Sequence, residues 1–199
     1  MVCCVMGMAA QVECSVKFQS AQPTICDFVQ ALITARIAAD EEEVCEDETF
    51  NAFSNAWETH RKGLQPDECD KLTLDQRNGY VAYESKRDEQ LLRIEMCYWN
   101  EADKRHKLVA YNVRMYTDGK CDPGQFDGIT FYRYDNATRK MTMCDAPGFD
   151  VMFRTEQGEW VSYDLPRTGK DITVVTWKAS GQKRDLLKWN GSRFTQGVR

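Results

Sequence analysis

Apolar and polar residues repeat with two different periods along this chain, and the change falls near residue 70. In the first part, Ile25, Phe28, Val29, Leu32 and Ile33 recur at i, i+3, i+4, i+7 and i+8, with Arg36 following at i+11. That spacing lines one stripe of an α-helix, predicted over 24–39. Thr24 stands at the N-cap position and Asp27 three residues later, a variant of the capping box. Such a stripe more often covers a sheet than docks a partner. The acidic run 40–48 reads as a solvated linker whose carboxylates favour the N-terminus of a second helix. That helix is predicted over 47–62, with Phe50, Phe53 and Trp57 on one side, Gly63 as its C′ residue and Pro66 as a stop. His60 and Arg61 fall in its last turn, where a cation suits the dipole.

From residue 72 the period drops to 2, the signature of half-buried strands. Leu72-Thr73-Leu74 begins the series, and strands over 80–85 and 91–98 follow, joined by a turn around 86–88. In the second, Leu92, Ile94, Met96 and Tyr98 face one way and Arg93 and Glu95 the other. Residues 108–116 repeat this, with Val109, Tyr111, Val113 and Met115 inward and Asn112 and Arg114 outward. Three hairpins are then expected, pairing 128–134 with 139–143, 150–154 with 159–164, and 171–177 with 183–189, before a short strand near Phe194. Short polar turns throughout imply antiparallel pairing, since parallel pairing needs long crossovers. The fold class is therefore α+β: two N-terminal helices packed on an antiparallel β-meander, formed as a curved sheet or a partly closed barrel. Residues 11–199 are expected to make a single domain, with the helices over 24–62 and the meander over 72–195.

Composition adds bounds. The chain has 199 residues, 42% hydrophobic and 29% charged, with a net charge of −5. That is ordinary globular composition. An acidic chain with no clustered basic footprint argues against a nucleic-acid partner. The run Val2-Cys3-Cys4-Val5-Met6-Gly7-Met8-Ala9-Ala10 is too short for a transmembrane segment. It matches the apolar region of a signal peptide, Gly7-x-Ala9 is a small-x-small cleavage pattern, and residues 1–10 are read as a signal-peptide remnant. Seven cysteines lie beyond that run without any C-x-x-C pair, so a metal site is disfavoured. In an oxidising compartment some would pair, with Cys97, Cys121 and Cys144, at strand ends, the first cross-sheet partners to consider.

The search for chemistry returns few motifs. No P-loop, nucleophile elbow, zinc-protease helix or dinucleotide fingerprint is present, and no cofactor is implied. A glycine closely followed by an aspartate and an apolar strand recurs at Gly124, Gly148 and Gly169, with aspartates Asp127, Asp150 and Asp171. These carboxylates either converge on a calcium ion or polyol, or each caps its own turn, and the second reading is favoured. The aromatics are the other candidates. Tyr132 and Tyr134 share a strand face opposite Ile129 and Phe131, and Tyr98-Trp99 ends another strand. If one side of the sheet is uncovered, they form a binding surface; if both are covered, they are core.

The segments Lys-Leu-Val-Ala-Tyr-Asn-Val at 107–113, Asp-Gly-Ile-Thr-Phe-Tyr-Arg-Tyr-Asp at 127–135 and Leu-Leu-Lys-Trp-Asn-Gly-Ser-Arg-Phe at 186–194 resemble small uncharacterised secreted proteins of Bacteroidetes-type bacteria. The resemblance covers most of the β part, implies export to the periplasm or cell surface, and carries no functional residue. The expected function is an exported binding or accessory protein that holds a small ligand or protein partner on a sheet face or in a barrel mouth. The alternatives are a hydrolase using the carboxylates of the glycine–aspartate turns and a structural or inhibitor-like protein.

Overall fold

The computed structural model describes residues 13–40, 48–122, 128–149 and 158–197. In chain order the elements are β1 (Glu13–Ser15), α1 (Ile25–Asp40), α2 (Glu48–Arg61), β2 (Asp70–Asp75), β3 (Tyr80–Arg87), β4 (Gln90–Asn100), β5 (His106–Thr117) and β6 (Lys120–Asp122). They continue with β7 (Gly128–Asp135), β8 (Lys140–Cys144), β9 (Trp160–Asp164), β10 (Ile172–Lys178), β11 (Gly181–Trp189) and β12 (Phe194–Gln196).

The helices form where the period places them. The Asp27 carboxylate accepts from both the backbone N–H and the hydroxyl of Thr24, at 2.7 and 2.8 Å, which fixes the start of α1. Ile25, Phe28, Val29, Leu32 and Ile33 are all buried. Arg36, the polar member of the stripe, lies over the Phe50 ring at 4.5 Å and so joins α1 to α2. The second helix ends as Gly63 predicts. Its φ is +66°, Leu64 N–H donates to the Thr59 carbonyl, and Gly63 N–H donates to the His60 carbonyl, the paired bonds of a Schellman cap.

The strands form two antiparallel sheets rather than one. The large sheet has the order β1-β8-β7-β5-β4-β3-β2, with β6 folded back on β5, and the small one the order β12-β11-β10-β9. Each connection within a sheet is largely meander-like, and neither sheet closes, so the partly closed barrel is not formed. β1 and β2 are left as the two edges of the large sheet. No strand is expected from the sequence at 13–15, yet Cys14 pairs with Met141 on β8. Three residues carry too little periodicity to announce a strand. β3 and β4 also run further than predicted. Their turn is Asp88-Glu89, with Asp88 at φ 51°. The expected hairpin strand 150–154 lies outside the described residues.

The large sheet is the middle layer of three. On its inner face, Tyr83, Ile94, Met96, Val109, Tyr111, Tyr132 and Tyr134 pack under α1 and α2. On its outer face, Trp99, Leu108, Ala110 and Phe131 pack against Ile172, Val174, Leu187, Trp189 and Phe194 of the small sheet. This corrects the outward assignment of Glu95, Asn112 and Arg114. They do point away from the helices, but a second layer lies there, and all three are buried.

Among the described residues Cys14, Cys26, Cys69, Cys97 and Cys144 are free thiols. Cys97 on β4 and Cys144 on β8 are separated by β5 and β7, roughly 14 Å at the usual strand spacing. A disulfide needs Cα atoms within about 7 Å. Cys121 lies in a separate cluster with Val175 and Trp177. The cross-sheet pairing expected among these three cysteines is therefore not formed.

Candidate functional site

The outer face of the large sheet changes character along its strands. Toward Trp99 and Phe131 it is apolar. Toward the other end, β4 carries Arg93 and Glu95, and β5 carries Asn112 and Arg114, at alternating positions. The β4–β5 register sets Arg93 directly opposite Arg114, and Glu95 opposite Asn112. Two guanidinium groups directly across a strand pair repel unless an acid lies between them. Glu95 supplies it. One carboxylate oxygen accepts from Arg93 at 3.0 Å and from the Tyr80 hydroxyl at 2.5 Å, and the other pairs with Arg114. Burial beside the Glu95 carboxylate pushes the Tyr80 phenol well above its usual range, so it stays a neutral donor.

These buried polar groups also hold the small sheet in place. β9 is an edge strand, and an edge leaves backbone groups unpaired. Asn112 Nδ2 donates to the Tyr163 carbonyl at 2.7 Å, and the Leu165 N–H makes a long bond of 3.4 Å to Glu95. Arg114 pairs with Asp164 at the end of the same strand. Side chains of β4 and β5 thus take the place of a neighbouring strand. Beyond Asp164, Ser162 Oγ accepts from Trp177 Nε1 at 2.9 Å, and Trp160 and Trp177 stack at 6.4 Å between centroids.

Between the two sheets, with this cluster lining part of it, lies an open cleft of about 520 Å³. Lys71 and Thr73 of β2, Glu84 of β3, Arg93 and Tyr116 form one side, and Asp164, Arg167 and Arg184 the other. Arg93 pairs with Glu84 at 2.9 Å, Arg184 approaches Asp164 at 3.6 Å, and Arg167 is held by Asp75 at 3.0 Å. Arg114 Nε is buried with no hydrogen-bond partner among the described residues, as is Asn112 Oδ1. Charged groups from both sheets converge here, and the arrangement suits recognition of a polar molecule. It suits acid–base chemistry poorly. Glu95 and Asp164 both hold the Arg114 guanidinium, and those oxygens are engaged.

The residues singled out in the sequence lie elsewhere. Tyr132 and Tyr134 are buried on the inner face, where Tyr134 meets Phe28 edge-on at 5.2 Å. They are core of the helix–sheet interface and not an open surface. Tyr98 is half-buried on the same face, 5.3 Å from Phe28. Trp99 points the other way, into the inter-sheet core, and donates to the Lys170 carbonyl at 2.9 Å. Asp171 is half-buried just ahead of β10 and does not line the cleft. Asp127 and Asp150 lie outside the described residues.

Among the described residues one group has metal-ligand character: Glu101, Asp103 and His106 at the β4–β5 turn. Its geometry is that of a turn held by salt links. Arg133 clasps Glu101 through two bonds of 2.7 and 2.5 Å, so a cation already occupies that carboxylate. Asp103 accepts from the backbone N–H groups of Arg105 and His106 and from the His106 ring, which holds it far below the usual carboxylate range. No described helix is long and apolar enough to cross a membrane. No protein-family model matches the chain, and comparison with curated proteins and with solved structures finds no match.

Proposed function

We propose that this chain is a binding or accessory protein that takes a small polar ligand in the cleft between its two sheets. The observation that carries this reading is the convergence of charged side chains from both sheets on one open cavity of about 520 Å³. That volume falls within the range of ligand sites. Most such sites are largely apolar, whereas this one is lined mainly by charged groups, so its ligand is polar and hydrogen-bonding. The hydrolase reading has less support, since Asp171 does not line the cleft and the cleft carboxylates are tied to arginines. Placement in the periplasm or at the cell surface belongs to the proposal and is supported by the apolar run 2–10 with its Gly7-x-Ala9 pattern.

A thermal-shift screen of polar metabolites, charged and uncharged, tests the site. The comparison protein is Thr73→Trp, which fills the cleft from edge strand β2. One or more compounds should raise the melting temperature of the wild type and leave the variant unmoved. A panel with no stabilising compound, or a variant that responds equally, overturns the proposal. Cell fractionation with and without residues 1–10 tests placement; a protein retained in the cytoplasm in both cases overturns that part.

A further inference from the structure

We infer that the ligand of this cleft carries an anionic group, a carboxylate or another oxyanion of a small molecule, and that Lys71 and Arg184 at the mouth receive it. This rests on the cleft being the binding site. The first observation is local charge. The whole chain carries −5, yet five cationic side chains line the cleft, Lys71, Arg93, Arg114, Arg167 and Arg184, against the three carboxylates Glu84, Glu95 and Asp164. Counting Asp75, the partner of Arg167, the balance is still positive by one.

The second observation is how the ion pairs are graded from floor to mouth. Each cleft carboxylate meets two cations: Glu95 has Arg93 and Arg114, Glu84 has Arg93 and Lys71, and Asp164 has Arg114 and Arg184. A cationic ligand would therefore find every cleft carboxylate already engaged. The cations are not equally satisfied. Arg93 and Arg114 are held closely, whereas Lys71 stands 3.9 Å from Glu84 and Arg184 stands 3.6 Å from Asp164. Their side chains are 72% and 59% exposed. Long, exposed pairs contribute little to the fold and give way readily to a better acceptor. Within a concavity their field is focused on an incoming anion. Arg184 can offer a planar fork to a carboxylate or phosphate, and Lys71 a point charge across the mouth.

The experiment measures dissociation constants by calorimetry for citrate, glucuronate and inorganic phosphate, with glucose as the uncharged control. Wild type is compared with the double variant Lys71→Ala/Arg184→Ala at 50 mM and 300 mM sodium chloride. Both side chains are exposed, so the double variant should fold, and circular dichroism checks this. At least one anion should bind the wild type, with affinity falling tenfold or more in the double variant and several-fold at the higher salt. An organic acid that binds without phosphate identifies a metabolite carboxylate, and phosphate binding alone identifies the inorganic ion. Equal affinity for glucose, unchanged anion binding in the double variant, or no anion binding overturns the inference. The cleft itself is judged separately by Thr73→Trp: a neutral ligand lost in that variant leaves the binding site standing while the anionic class falls.

Discussion

Arg114 and Glu95 form an ion pair on the outer face of the large sheet with both side chains withdrawn from water. Removing Arg114 leaves Glu95 with Arg93 and the Tyr80 hydroxyl as its remaining partners, so its buried charge stays partly compensated. Arg114→Met should lower stability by about 1–3 kcal/mol in urea unfolding. Glu95→Leu/Arg114→Met should be less destabilised than the sum of the two single variants. Simple additivity would show that the pair is not coupled.

Tyr132 and Tyr134 are core residues under α1. Replacing either with Ser deletes a buried ring and should cost on the order of 3 kcal/mol or more, by analogy with large-to-small aromatic truncations. Thermal unfolding reads this directly. Full stability in Tyr134→Ser would remove it from the core.

Two glycines of the recurring glycine–aspartate pattern should respond differently to the same change. Gly148 has φ +77°, and a Cβ there would lie 2.2 Å from the Phe194 carbonyl oxygen. Gly169 has φ +85° with nothing within 4 Å of such a Cβ. Gly169→Ala should cost only the left-handed backbone penalty, about 1–2 kcal/mol. Gly148→Ala should cost clearly more, because backbone must move as well. Chemical denaturation of the two variants side by side makes the comparison.

The link between the β4–β5 and β7–β8 turns should appear in acid. Arg105 donates to both Asp135 oxygens at 3.1 and 2.8 Å, and with the Ala137 N–H it holds Asp135 down from 3.8 to about 2. A folded pKa below the unfolded one contributes stability that is present above the unfolded value and lost as pH falls toward the folded one. The loss therefore falls between about 3.8 and about 2. Asp135→Asn should flatten that part of the stability profile. An unaltered acid limb would count against the link.

Cysteine labelling should follow burial. Burial pushes the Cys14 and Cys144 thiols up to about 11 and raises Cys97 as well, whereas Cys69 is exposed. Iodoacetamide at pH 8 should modify Cys69 first and the other three only on unfolding, read by peptide mass spectrometry. Rapid native labelling of Cys97 would contradict its place between the sheets.

The candidate cleft was hard to see in the sequence for a physical reason. Arg93, Glu95, Asn112 and Arg114 were visible as polar residues at alternating strand positions, and alternation assigns such residues to solvent. Their partners Asp164 and Arg184 come from the small sheet, far along the chain, and no local period connects them. The aromatic residues are conspicuous in the sequence because they are large, yet a covered face turns Tyr132 and Tyr134 into core.

What the sequence determined by itself was local. The stripe from Ile25 to Arg36, the Thr24–Asp27 cap, the Gly63 stop and the alternation in β4 and β5 each arise from neighbours within a few residues, and each set the element it belongs to. It also determined which residues share a face, because strand period is a backbone property. Only the tertiary structure decided what lies against each face. Nothing local distinguishes water from a second sheet, because the contact is made by residues 50 or more positions away. That long-range docking of β9 on Glu95, Asn112 and Arg114 buried three polar residues and opened the cleft beside them.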